Sequence, residues 1–290
     1  MSRNEGAPEP PSGPTITAVV ATRGRGPLVV QTVESILAND HPDFAVLVID
    51  QSDDDSTEVA IAPFRTDPRF SYMRSDTVGQ GRAQNIATRT LASPYVAFTD
   101  DDCDVPPGWL TCLAQTLDRH EKVGVVYSNV AAGPHNAAAG FVPDYMNAQD
   151  RVVDTVVGKV RARGIGASMA VRREVFQSIG GFDENMGPGA AVPSAGDRDL
   201  AIRAVLAGHA VFETARTTVI HHGFRTWEEG KVLTGRDWVG LGGMCAKPLR
   251  AGHFSTIVYP IYELSVNGVL LPLARVLQGA RPRGFRRVGY

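Results

Sequence analysis

Short apolar runs rich in β-branched residues alternate with helical segments through the first 130 residues, and this alternation limits the fold most. Residues 16–21, 44–49, 70–73, 95–99 and 124–130 read as strands. Between them, 28–38 puts Val29, Thr32, Val33 and Ile36 on one helical face, and 82–91 turns Ala83, Ile86, Ala87 and Thr90 inward. A helix over 108–119 follows Pro106-Pro107, since proline is tolerated in a first turn. Strand, helix and short loop in regular succession predict a mostly parallel α/β sheet wound by right-handed crossovers. Such sheets hold their ligands beyond the carboxyl ends of the strands.

The polar residues gather at that side. The run Tyr95-Val96-Ala97-Phe98-Thr99 ends in Asp100-Asp101-Asp102-Cys103-Asp104. Adjacent carboxylates repel one another and need cations or donors nearby. Mg²⁺ and Mn²⁺ prefer hard oxygen ligands, commonly one or two carboxylates plus substrate phosphates, so Asp100 to Asp102 suit a divalent cation with a phosphorylated ligand. An EF-hand is excluded, because Val105 and Thr111 stand where such a loop needs glycine and glutamate. Asp104 reads as a cap for the next helix. Asp50 closes the second strand, where a single acid suits a base or ribose, and Asp53 to Asp55 suit the N-terminus of a short helix.

Other motifs are weaker alone. Thr22-Arg23-Gly24-Arg25-Gly26 is half a dinucleotide fingerprint with Val29 at the third glycine position. Gly79-Gln80-Gly81-Arg82 lets a backbone approach closely and sets an arginine at a helix start, where it could meet a phosphate. Asp197-Arg198-Asp199 opens a helix after a loop, 185–196, that holds three glycines and two prolines. Either acid could take a proton from a substrate hydroxyl or simply cap the helix. His221-His222 could complete a metal site.

Taken in order, these segments resemble a family 2 glycosyltransferase with the GT-A fold. The likeness runs from about residue 15 to 227, through Val20-Ala21-Thr22-Arg23, Val48-Ile49-Asp50, Gly79-Gln80-Gly81-Arg82 and Thr99-Asp100-Asp101-Asp102. It continues through Gly180-Gly181-Phe182-Asp183-Glu184, Asp197-Arg198-Asp199-Leu200 and His222-Gly223. The resemblance implies a Rossmann-like, mostly parallel sheet with a fused acceptor lobe. It implies a nucleotide-diphosphate sugar donor contacted by Ala21, Thr22, Arg23, Asp50, Arg82, Asp100 and Asp101. Asp102 and His222 would hold Mg²⁺ or Mn²⁺, with His221 the alternative, and Asp197 would be the inverting enzyme's catalytic base, with Asp199 the alternative. Gln51 stands where a second aspartate is common, and Gly196 where the usual acid before Asp197 is a glutamate. The processive Gln-x-x-Arg-Trp pattern is missing, which favours adding single sugars. A sugar-phosphate nucleotidyltransferase would want a basic glycine-rich loop at strand one with a lysine later, and a non-catalytic sugar-nucleotide binder would not need Asp102 and Asp197.

The expected organisation is a disordered leader over 1–14, a nucleotide-sugar lobe over 15–130, an acceptor and catalytic lobe over 131–227, and a helical extension over 228–290. With 29 basic against 31 acidic residues, bulk charge gives no case for nucleic acid. Three cysteines without a CxxC pair favour a reduced, cytoplasmic setting. Apolar residues over 256–277, followed by Arg281, Arg283, Arg286 and Arg287, suit either a core or homodimer helix or a monotopic anchor. The anchor would place 254–290 on the inner face of a membrane and fit a glycan or lipid-linked acceptor.

Overall fold

The computed structural model describes residues 15–162 and 164–278. The expected leader and the arginines at 281, 283, 286 and 287 lie outside the described residues. The strands are β1 Ile16–Thr22, β2 Phe44–Asp50, β3 Phe70–Arg74, β4 Tyr95–Asp100, β5 Cys103–Asp104, β6 Val123–Ala132, β7 Gly140–Phe141, β8 Arg151–Val153, β9 Met169–Arg172, β10 Ala210–His221 and β11 Arg225–Thr226. The helices are α1 Gly26–Leu37, α2 Ser56–Ile61, α3 Gln80–Thr90, α4 Trp109–Arg119, α5 Val156–Arg161, α6 Arg173–Ser178, α7 Gly196–Leu206, α8 Trp227–Arg250, α9 Val258–Tyr262 and α10 Leu271–Leu277.

One nine-stranded sheet runs in the order β3-β2-β1-β4-β9-β6-β10-β5, with β8 also paired to β10. The first four strands of that order are parallel, as the strand–helix alternation predicts. β9 is inserted antiparallel between β4 and β6, and β5 and β8 pair antiparallel with β10. Strands β9 and β10 come from the stretch read as the acceptor and catalytic lobe, and they lie in the same sheet as β1 to β4.

Apolar side chains leave the sheet in both directions, which is why the strands read as near-continuous apolar runs. Ile16, Ala18 and Val20 of β1 pack with Val29 and Val33 of α1 and Trp109 and Leu113 of α4. Val19 of the same strand faces the other layer, with Phe98, Ala83 and Ala87 of α3, and Leu200 of α7. A third cluster of Met186, Ile202, Leu241, Met244 and Tyr259 ties α8 and α9 to α7. Helix α8 begins with a capping box: the Thr226 hydroxyl accepts from the Glu229 N–H while Glu229 accepts from the Thr226 N–H. No described helix is long and apolar enough to cross a membrane.

Strand register places the site. Thr22 lies opposite Asp50 and Ala21 opposite Asp100, so the carboxyl ends of β1, β2 and β4 finish together. On the far side, β5 turns back from the acid cluster and pairs with β10, with Cys103 opposite His221. That short antiparallel pairing brings a histidine more than a hundred residues away in sequence against the aspartates.

Candidate active site

Asp50 is fully buried at the end of β2. Its Oδ1 accepts from the Ser52 N–H (2.9 Å) and the Ser52 hydroxyl, and its Oδ2 accepts from the Tyr72 hydroxyl (3.0 Å). Burial, with that bond to Asp50, pushes the Tyr72 phenol up to about 12. The Ser52 hydroxyl in turn accepts from the Gly24 N–H (2.8 Å), joining the β2 turn to the loop after β1.

The three adjacent aspartates are sorted by their partners. Asp101 has both oxygens engaged: Oδ2 accepts from the Thr22 hydroxyl (2.7 Å) and Oδ1 from Arg25 (2.6 Å). Burial raises Asp101, against the Thr22 bond and the Arg25 charge. Asp102 gives Oδ2 to the other arm of the same guanidinium (2.7 Å). Its Oδ1 is buried without a hydrogen-bond partner and lies 3.2 Å from His221 Nε2. Burial alone would raise Asp102, but His221 and Arg25 outweigh it and leave the carboxyl at about 2. Burial pushes Asp100 up to about 6; its two acidic neighbours add to this, while His221 and the Gln80 side-chain amide (2.9 Å) oppose it.

His221 is oriented by its other ring nitrogen. Nδ1 lies 3.0 Å from the Pro143 carbonyl, which can only accept, so Nδ1 carries the proton and the Nε2 edge faces Asp102. Burial disfavours the imidazolium, yet Asp102, the Pro143 carbonyl and Asp100 together raise its pKa above the ordinary value. Asp100, Asp102, Cys103 and His221 each offer a ligand atom, all within 4.8 Å of one another. Burial keeps the Cys103 thiol protonated, with its pKa raised. A Cβ on Gly223 would stand 2.5 Å from His221 Nε2 and 3.1 Å from Asp102 Oδ2, so the glycine keeps open a space beside both. An unpartnered carboxylate oxygen, an oriented imidazole and that open space together fit a hard divalent cation.

Across the crevice, α7 starts after Ala195, which holds a left-handed backbone (φ 66°) that non-glycine residues rarely adopt. Asp197 in its first turn is part-exposed; Oδ2 accepts from the Gly166 N–H (2.8 Å) and Oδ1 from the Arg198 N–H (2.8 Å). Asp199 is buried and bound to Arg203 (2.8 Å) and Lys247 (2.7 Å). The loop over 185–196 docks on the turn before α3, where the Gln80 N–H donates to the Pro188 carbonyl (3.0 Å). Gly189 comes so close that an added Cβ would lie 3.0 Å from Gly79 Cα.

Thus Thr22, Asp50, Asp100, Asp101 and Asp102 gather at one end of the sheet, with Ala21 beside them in register. Arg23 turns outward to Asp53 (3.3 Å) and Arg82 pairs with Glu184 (3.1 Å). His222 donates or accepts at Asp104 (2.8 Å) and not at the cluster of His221. Asp104 is not the expected helix cap: it sits in β5 and also accepts from Gln31 (2.6 Å), while Gly108 holds the cap position of α4. Arg25, Gln80 and Gly223 were not singled out by the sequence; only the Arg-Gly-Arg-Gly run hinted at Arg25.

The family model described as glycosyl transferase family 2 matches residues 17–180. The O-antigen biosynthesis protein RfbC of Myxococcus xanthus is 26% identical over 226 residues, covering 72% of this chain and 17% of that protein. Glucosyl-dolichyl phosphate glucuronosyltransferase of Haloferax volcanii is 24% identical over 162 residues, 54% of this chain and 51% of its own. The chain therefore spans only part of the curated relatives it matches. Among solved structures, the mannosyltransferase PcManGT of Pyrobaculum calidifontis, in complex with GDP-Man and Mn²⁺, has a TM-score of 0.66 at 20% identity, covering 98% of this chain and 81% of that one. TarS 1-349 of S. aureus, in complex with UDP-GlcNAc, has a TM-score of 0.58 at 16% identity, covering 77% and 66%. The architecture is that of GT-A glycosyltransferases.

Lys247 of α8 binds Asp183 (2.6 Å) as well as Asp199, clasping α8 to the residues on either side of the loop over 185–196. Burial raises Asp183, but Lys247 and the Asn185 N–H outweigh it and hold its pKa below the ordinary 3.8. A depressed carboxyl stabilises the fold fully above its unfolded pKa of about 3.9 and loses that contribution as pH falls through its folded pKa. Asp183→Asn should therefore lower the melting temperature at pH 7 and flatten its decline below about pH 4. Calorimetry across that range checks this; an unchanged acid limb contradicts it.

Proposed function

The chain belongs to glycosyl transferase family 2 and is a transferase enzyme, and from that premise we propose that it moves a single sugar from a nucleotide-diphosphate sugar to an acceptor hydroxyl with inversion. The observation that carries this reading is the meeting, at one end of the sheet, of Thr22, Asp50 and Asp100 to Asp102 with His221, while Asp197 is held by Gly166, next to the Ala167 carbonyl that accepts from Thr99. The nucleotide base lies against 21–23 and the Asp50 turn. Asp100, whose carboxylate also meets Gln80, contacts the donor sugar or ribose. Arg82 is part-exposed and reaches the diphosphate by exchanging its ion pair with Glu184.

Asp102 and His221, rather than His222, would hold a divalent cation, Mg²⁺ or Mn²⁺. When bound, it supplies Lewis-acid neutralisation of charge on the leaving diphosphate, an effect worth several kcal/mol. Asp197 acts as the general base, and Asp199, buried between Arg203 and Lys247, holds α7 in place. Two backbone N–H donors fix the Asp197 carboxylate toward the crevice, where it takes the acceptor's proton as the oxygen attacks C1 opposite the diphosphate. The docked loop over 185–196 excludes water from the donor.

The acceptor is a glycan or lipid-linked sugar, in polysaccharide or glycolipid synthesis. Phe254, Ile257, Ile261 and Leu264 form an exposed stripe at three- and four-residue spacing, while Thr256, Tyr259 and Glu263 face inward. Leu271, Leu273 and Leu277 continue the exposed apolar surface. The chain beyond them carries arginines and no acid, which suits anionic headgroups.

Asp197→Asn should lower turnover about 100- to 10,000-fold while nucleotide binding measured by calorimetry stays close to that of the unaltered chain; transfer at near-normal rate would remove Asp197 as the base. The full chain should float with anionic liposomes, whereas a chain ending at Ala251 should not. Sedimentation as a dimer with no flotation would assign the stripe to a second copy.

A further inference from the structure

We propose that Arg25 is a displaceable counter-ion that makes cation binding at Asp102 conditional on a nucleotide diphosphate. The proposal rests on the donor-site reading above and concerns its regulation. Arg25 does not fork onto one carboxylate. One arm holds Asp101 (2.6 Å) and the other Asp102 (2.7 Å), and both acids are buried. Among the described residues it is the side chain that forms ion pairs with both. In this arrangement a monovalent cation already answers the charge that a divalent cation would answer.

The position of Arg25 permits departure. It lies between β1 and α1, flanked by Gly24 (φ +64°) and Gly26, and its side chain is 35% exposed. It makes no side-chain cap bond to α1 that would tie it down. Asp101 keeps its bond to Thr22 when the guanidinium leaves, so that acid is not stranded.

A divalent cation arriving alone meets a guanidinium on the same carboxylate, and like charges in a poorly solvated site oppose each other. A diphosphate changes the balance. Its oxygens match the planar donors of arginine, so Arg25 can exchange two carboxylates for phosphate oxygens and free Asp102 Oδ2. The cation then meets a site one positive charge poorer and a ligand rich in negative charge. Cation and nucleotide therefore bind together, each raising the other's affinity by the same factor.

The test measures Mn²⁺ binding to the full chain by the electron paramagnetic resonance of free Mn²⁺, alone and with UDP, GDP, CDP, dTDP or pyrophosphate. The unaltered chain should bind Mn²⁺ about tenfold or more tightly with the fitting diphosphate than alone. Arg25→Gln should bind Mn²⁺ alone about tenfold more tightly than the unaltered chain and lose most of the nucleotide's enhancement. Arg25→Lys, which keeps the charge, should bind Mn²⁺ alone as the unaltered chain does. Melting curves establish that each variant is folded. A folded Arg25→Gln chain with unchanged or weaker Mn²⁺ binding overturns the proposal. So does an enhancement in the unaltered chain below about twofold, a measurement that needs no variant. If the unaltered chain binds no Mn²⁺ under any of these conditions, the donor-site reading fails with it. If it binds Mn²⁺ with nucleotide and Arg25→Gln behaves identically, only the role of Arg25 fails.

Discussion

Three adjacent carboxylates at the end of a buried strand cannot stand without counter-charge, and much of the crevice is arranged to supply it. Arg25 holds two of them, Thr22 takes the remaining oxygen of Asp101, and His221 faces the remaining oxygen of Asp102. These contacts turn a repulsive run of like residues into three acids with different surroundings. Asp101 is saturated, Asp102 keeps one oxygen open toward an imidazole, and Asp100 is raised to about 6 by burial. Chemistry at such a site depends on this division of labour more than on the number of acids.

Two pairings of the sheet make the division possible. Parallel register between β1, β2 and β4 delivers Thr22, Asp50 and Asp100 to one level. The antiparallel pairing of β5 with β10 then folds the chain just past the acids against His221. Asp197 is fixed separately, through the strained backbone at Ala195 and the bond from Gly166. Gln80, the first residue of α3, reaches Asp100 with its side chain and the Pro188 carbonyl with its N–H, and Gly79 before it admits Gly189 of the loop over 185–196. Segments distant in sequence thus meet by strand pairing and by a few side-chain bonds.

The parallel half of the sheet was legible because strands buried on both faces leave long apolar runs and their helices keep a clear period. The acid cluster was legible because charge at a strand end is conspicuous. Strand β9, running antiparallel between β4 and β6, was not, since an apolar run carries no sign of its direction. The two histidines show a finer limit. His221 and His222 are neighbours in sequence, but successive residues of an extended chain point to opposite sides, and only the register of His221 with Cys103 tells which one meets Asp102. Arg23 and Arg25 pose the same problem on a loop, where no period applies: one turns to Asp53 and the other to the acids. Asp104 looked like a helix cap from its spacing, but β-pairing to Ile220 claimed it first.

On the proposed reading, a divalent cation sits in the space between Asp102 and His221, with the nucleotide beside it. Crystals grown with Mn²⁺ and a nucleotide diphosphate, measured at the manganese absorption edge, locate it. A single anomalous peak in contact with Asp102 Oδ1 and His221 Nε2 is the expected result. A peak between Asp104 and His222, with Asp102 left on Arg25 alone, would contradict the assignment.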